Sequence, residues 1–89
     1  NRVALHLTRQ EYNFLFFLAA TTMRVYTFEQ IYQLVWKDYP VGDIKNIIWC
    51  LVKRLRKKLN VVENGAGKCI VSVRDIGYKF ELNKENEQQ

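Results

Sequence analysis

Eighty-nine residues, 48% hydrophobic and 13% aromatic, suffice for one small domain with a single core. The net charge of +5 points to an anionic partner, and no apolar run approaches the roughly 20 residues of a bilayer-crossing helix. One histidine, the single serine Ser72 and two distant cysteines offer neither a hydrolytic constellation nor metal-ligand spacing, so no enzyme, metal or cofactor is expected.

Residues 3–7 (V-A-L-H-L) alternate apolar and polar side chains as a short strand does, and such a strand needs a partner upstream or at the far end of the chain. Thr8-Arg9-Gln10-Glu11 has the form of a capping box, in which the threonine hydroxyl takes one orphan N–H and Glu11 reaches back to another. The helix it opens is expected to run to about Ala20, with Tyr12, Leu15, Phe16, Leu18 and Ala19 available for burial. Val25-Tyr26 is long enough only for a bridge strand. Thr27-Phe28-Glu29-Gln30 repeats the capping pattern, and the second helix carries Ile31, Leu34 and Val35 on one side and Trp36 near its end. Residues 37–42 (KDYPVG) hold the only proline and read as a loop.

Residues 42–59 (GDIKNIIWCLVKRLRKKL) read as one long helix with two opposed faces. Advancing about 100° per residue places Ile44, Leu51, Val52, Leu55 and Leu59 within about 60° of Ile48, an apolar stripe for a core. Asn46, Cys50, Lys53, Arg54 and Lys57 gather opposite. Five of the six residues 53–58 are cationic, and Asp43 at the start with this cluster at the end suits the helix dipole. Residues 60–67 are loop-like. Residues 68–73 and 78–82 are rich in β-branched and aromatic side chains and flank Arg74-Asp75-Ile76-Gly77 as a hairpin turn, where Gly77 takes a positive φ freely and Asp75 better than most. The polar tail, residues 83–89, is expected to be disordered.

Charge is unevenly spread: residues 44–79 carry nine Lys or Arg against the two acids Glu63 and Asp75. Such a one-sided cationic surface suits nucleic acid or an anionic membrane. Two cysteines are too few for a disulfide framework and fit free thiols in a reducing cytoplasm. The chain opens at Asn1 without a Met or signal-like segment, as expected of a cytoplasmic domain cut from a longer protein.

Strand, helix, short strand, helix, basic helix and hairpin make an α+β winged helix over residues 1–82, a helix-turn-helix variant with three helices, a short N-terminal strand and a C-terminal wing. The chain resembles the OmpR/PhoB-type winged-helix effector domain of bacterial two-component response regulators. The resemblance rests on Leu7-Thr8-x-x-Glu11, on Val25-x-Thr27-x-Glu29-Gln30-Ile31 with Val35-Trp36, on Asn46-x-Ile48 with Leu55-Arg56-Lys57-Lys58-Leu59, and on Val73-Arg74-x-x-Gly77-Tyr78-x-Phe80. Two departures accompany it. Members usually begin with a four-stranded sheet, of which only residues 3–7 are candidates here. The third helix carries Ile47, Trp49, Cys50 and Leu51 where many members show a threonine, an acid, a small aliphatic residue and a histidine or tyrosine, so base preference does not carry over.

The resemblance implies sequence-specific binding of double-stranded DNA by a transcription factor, with the third helix in the major groove and the wing in the minor groove. It makes Arg54 the base reader, Lys53 a phosphate contact and Arg56 either, with Lys57 on the same basic face. An arginine fork matches guanine O6/N7, whereas lysine suits phosphate. Asn46 is a phosphate contact or a cap. Arg74 either enters a narrow minor groove or is a solvated turn residue paired with Asp75. Tyr78 places its ring in the core or offers its hydroxyl; Trp36 offers an indole N–H to phosphate or is buried. Cys50 meets a thymine methyl group, with a redox switch as the less favoured reading. The resemblance also implies pairs of domains, as a dimer on direct repeats of a promoter, an RNA polymerase contact through the 37–42 loop, and a receiver domain or, alternatively, a membrane anchor outside this chain. The rival reading is a winged-helix interaction module that docks an acidic protein or anionic membrane surface, to which an exposed Trp49 lends weight.

Overall fold

Two threonines set the starts of the first two helices in the computed structural model, which describes residues 6–82. At the head of α1 (Arg9–Ala20), Glu11 N donates to Thr8 Oγ1 at 3.1 Å and Thr8 N donates to Glu11 Oε1 at 3.0 Å. At the head of α2 (Phe28–Trp36) the same box forms between Thr27 and Gln30 at 3.1 and 3.0 Å. Each cap satisfies N–H groups that helix geometry leaves orphaned and contributes about 1 kcal/mol. Lys37, in the left-handed region at φ 58°, ends α2 and turns the chain into the 37–42 loop.

The long helix α3 (Ile44–Val62) opens on Asp43, whose carboxylate accepts from Asn46 N at 3.3 Å. Asp43 is therefore the cap and the Asn46 side chain is left exposed. The helix outlasts the expected end at residue 59 by three residues. Its last turn contains no basic residue, so the cationic cluster lies a turn too early to owe its place to the helix dipole, which acts within the last turn.

The sheet has three short antiparallel strands in the order β1-β3-β2, with β1 at Tyr26–Thr27, β2 at Ile70–Val73 and β3 at Gly77–Phe80. β2 and β3 form the wing, paired from Ile70↔Phe80 to Val73↔Gly77, while Tyr26↔Tyr78 and Thr27↔Gly77 tie the wing to the base of α2. The hairpin is shorter than expected: Ala66–Cys69 forms a 3-10 turn, which delays β2 to Ile70, and β3 ends at Phe80 rather than at Leu82. In the turn it is Asp75 that adopts the positive φ, 63°, while Gly77 is needed for a different reason. A Cβ there would stand 1.7 Å from the Tyr26 carbonyl oxygen, so only glycine lets β1 lie against β3. The expected N-terminal strand falls largely on residues 3–5, outside the described residues, and His6 and Leu7 are not in a strand. The tail 83–89 also lies outside them.

The core is built on one stripe of α3. Ile44, Ile48, Leu51, Val52 and Leu55 pack with Phe14 and Leu18 of α1, Ile31 and Val35 of α2, and Tyr26, Ile70 and Tyr78 of the sheet. For α1 the buried side differs from the expected one. Glu11, Phe14 and Leu18, spaced three and four apart, face inward, whereas Tyr12 (57% exposed), Phe16 (53%) and Ala19 are outside and Leu15 is half-buried. Tyr12 and Phe16 stack on one another at 6.1 Å and, with Leu15, Ala19 and Ala20, line an apolar surface groove.

Candidate nucleic-acid interface

Because the apolar stripe of α3 is used up by the core, the opposite stripe is turned outward. Asn46, Lys53, Arg54 and Lys57 are exposed there, and Cys50 between them is half-exposed. One side of a single helix thus presents an amide, a thiol and three cations over about three turns. Lys53 Nζ lies 5.0 Å from the centre of the half-exposed Trp49 ring, a cation–π contact that holds the ammonium at the helix surface. Ile47 is also exposed, so the outer surface of α3 mixes apolar side chains with its cations.

Arg56 takes a different path from its neighbours. Its Nη2 donates to the Ile70 carbonyl oxygen at 2.6 Å, and its own backbone oxygen is approached by Gly67, where a Cβ would come to 2.9 Å. The side chain thereby braces the root of the wing against α3. Tyr78 is likewise in the core, meeting Phe14 and Phe28 edge-to-face at 6.0 and 6.1 Å. Burial pushes its phenol pKa up, with the Arg56 charge opposing. Trp36 is half-buried at the end of α2 and stacks on Tyr32 at 5.1 Å. Arg74 is exposed in the wing turn, which Ile76 N closes by donating to Val73 O at 3.0 Å. No salt bridge to Arg74 occurs among the described residues.

Glu11 is the residue that sequence reasoning assigned to a cap and nothing more. Its side chain is fully buried, and besides the cap it receives Lys58 Nζ at 2.6 Å on Oε1 and Arg54 Nε at 3.5 Å toward Oε2. Burial alone would raise its pKa; the Lys58 ammonium, the Thr8 N–H and the Arg54 guanidinium outweigh it and hold the carboxyl below its ordinary value. Lys58 also donates to His6 O at 3.0 Å. The 47-residue separation of Glu11 and Lys58 leaves no local signal for this contact in the sequence.

Both cysteines are free, and burial raises the pKa of Cys69. No group of three His, Cys, Asp or Glu among the described residues is arranged to hold a metal ion. No helix among them is long and apolar enough to cross a membrane.

The chain matches a known family: the one described as "Transcriptional regulatory protein, C terminal" covers residues 2–80. This chain belongs to that family. It is an OmpR/PhoB-type winged-helix effector domain, of a kind that regulates transcription by binding DNA and is not an enzyme. The transcriptional regulatory protein ResD of Bacillus subtilis (strain 168) is 46% identical over 79 residues, 89% of this chain and 32% of that protein. The transcriptional regulatory protein SrrA of Staphylococcus aureus (strain NCTC 8325 / PS 47) is 40% identical over 82 residues, 92% of this chain and 34% of that one. The effector domain thus spans about a third of the length of these relatives. Among solved structures, the DNA-binding domain of the response regulator AdeR, in complex with an intercistronic region, superposes with a TM-score of 0.74 at 24% identity, over 92% of this chain and 79% of that one. A structure described as belonging to a novel family of redox sensors in the streptococci, evolved from two-component response regulators, gives 0.70 at 33% identity, over 89% of this chain and 33% of that one.

Proposed function

We propose that this effector domain recognises a specific duplex sequence by laying the outer face of α3 in the major groove while the wing reaches the adjacent minor groove. The observation that carries the reading is the single exposed stripe Asn46, Cys50, Lys53, Arg54 and Lys57, on a helix whose other side is locked in the core. A major groove about 12 Å wide admits a helix presented in this way. Arg54 reads a guanine edge, Lys53 and Lys57 neutralise phosphates, Asn46 donates to phosphate, and Cys50 packs on a thymine methyl group. Arg74, at the tip of the hairpin, enters the minor groove. Arg56 and Tyr78 act from behind, by holding the wing to α3 and to the core. Trp36, at the end of α2, offers its indole N–H to a backbone phosphate.

The family resemblance supports a wider setting. The domain works in the cytoplasm, downstream of a receiver, and pairs as a dimer on direct repeats at a promoter. Its 37–42 loop, in which Tyr39 and Val41 are exposed, touches RNA polymerase. Selection of bound duplexes from a random pool tests the reading. An enriched motif containing a guanine in each half-site is expected; a pool that returns unenriched, with tight binding to anionic vesicles or an acidic protein instead, overturns it.

A further inference from the structure

We propose that Glu11 is a positioning residue for sequence recognition, tethering Arg54 by its Nε so that the end of the guanidinium is presented to a guanine edge. The inference rests on the base-reading role of Arg54 proposed above and adds a buried residue of α1 to the determinants of specificity. Three observations combine. First, Glu11 is enclosed and anchored: its side chain is 0% exposed and Oε1 accepts from both Thr8 N at 3.0 Å and Lys58 Nζ at 2.6 Å. Second, its other oxygen, Oε2, is buried without a hydrogen-bond partner, and Arg54 Nε lies 3.5 Å from it. Third, the Arg54 side chain is 58% exposed against 33% for Lys58, so it is the more outward-facing of the two cations on this carboxylate.

The chemistry of the guanidinium gives the contact its direction. An arginine has five N–H donors in a rigid planar fork. Engaging Nε leaves the end-on edge, with one N–H from each Nη, free of that contact. Two parallel donors at that spacing match guanine O6 and N7. An untethered exposed arginine would instead divide its time among many rotamers, most of which aim the fork elsewhere. Lys58 cannot take the role, since its ammonium is already spent on Glu11 Oε1 and His6 O.

The test is relative affinity across a series of single-base-pair substitutions in the selected duplex, for the wild type, Glu11→Gln, Arg54→Ala and the double variant. Arg54→Ala should flatten one base pair. Glu11→Gln should lose about tenfold of the discrimination at that same base pair, beyond any uniform loss over all duplexes. The double variant should match Arg54→Ala at that position. A Glu11 that only supports the fold lowers binding to every duplex by one factor and leaves the ratios sharp, and that result overturns the proposal. If Arg54→Ala itself flattens no position, the base-reading role and its positioning fall together; if it flattens one that Glu11→Gln leaves intact, only Glu11 falls. Should Glu11→Gln fail to fold, the wild-type domain decides by NMR. Arg54 Nε–H should be a resolved, slowly exchanging resonance, and one exchanging as fast as the solvated Arg74 Nε–H would overturn the tether.

Discussion

Arg54 and Lys53 are adjacent, exposed and equally charged, yet their surroundings assign them different work. Lys53 rests on the Trp49 ring as a compact point charge, whereas Arg54 carries a planar fork beside Glu11. Arg54→Ala should therefore weaken the preferred site by about 1–3 kcal/mol and flatten one or two base pairs, while Lys53→Ala weakens all duplexes about equally. A single-mismatch affinity series distinguishes the two, and unchanged relative affinities in Arg54→Ala would contradict the assignment. Arg74 belongs to the same scale. Its loss on Arg74→Ala should be largest on sites with an A/T-rich flank, where a narrow minor groove concentrates negative potential, and small on G/C flanks. Equal losses on both would reduce it to an ordinary phosphate contact. Glu11 brings a pH dependence. Its folded pKa lies below its unfolded one, so between the two the unfolded chain binds more protons and stability rises with pH. The contribution is fully present above the ordinary carboxyl value of about 4.3 and is lost as pH falls through the lower folded value. Urea midpoints measured from pH 6 down to pH 3 should drop over that window, and Glu11→Gln should show a smaller drop.

At the scale of elements, legibility followed how one-sided each pattern was. The starts of α1 and α2 were readable because a capping box is local, made within four residues. The buried stripe of α3 was readable because its apolar residues keep to one side of a long helix. The buried side of α1 was not. Tyr12, Phe14, Leu15, Phe16, Phe17 and Leu18 surround most of the helix, so spacing alone gave no reason to prefer Phe14 over Phe16. The 3-10 turn and the late start of β2 go with Arg56 packing against Gly67 and bonding Ile70, contacts that sequence spacing does not announce. Gly77 is a similar case: a turn glycine suggested a positive φ, but the constraint comes from β1, fifty residues earlier in the chain. Gly77→Ala should accordingly break the β1–β3 pairing and cost about 3 kcal/mol or more, since backbone cannot retreat as a flexible side chain does. A urea midpoint within error of the wild type would contradict the contact.

At the scale of the whole molecule, the cations of residues 44–79 lie on elements that share one core, α3 and the wing, which is why a modest net charge makes a concentrated surface. Lys53, Arg54, Lys57 and Arg74 are exposed, while Arg56 and Lys58 are turned to protein groups. Each phosphate neutralised on duplex DNA releases condensed counterion, so log K should fall with log salt at a slope of about −0.9 per contact, or roughly −2 to −4, the shallow end being the phosphate contacts of Lys53 and Lys57 alone. An acidic protein surface has no condensed counterion layer and would be screened more gently. Salt dependence alone does not separate DNA from anionic vesicles, so sequence preference is the sharper criterion. The most direct measurement compares, at one ionic strength, affinity for the selected full site with affinity for a scrambled duplex of the same length and composition. Sequence-specific recognition through α3 and the wing predicts a ratio of about 10³ or more. Equal affinity for the two duplexes would contradict it.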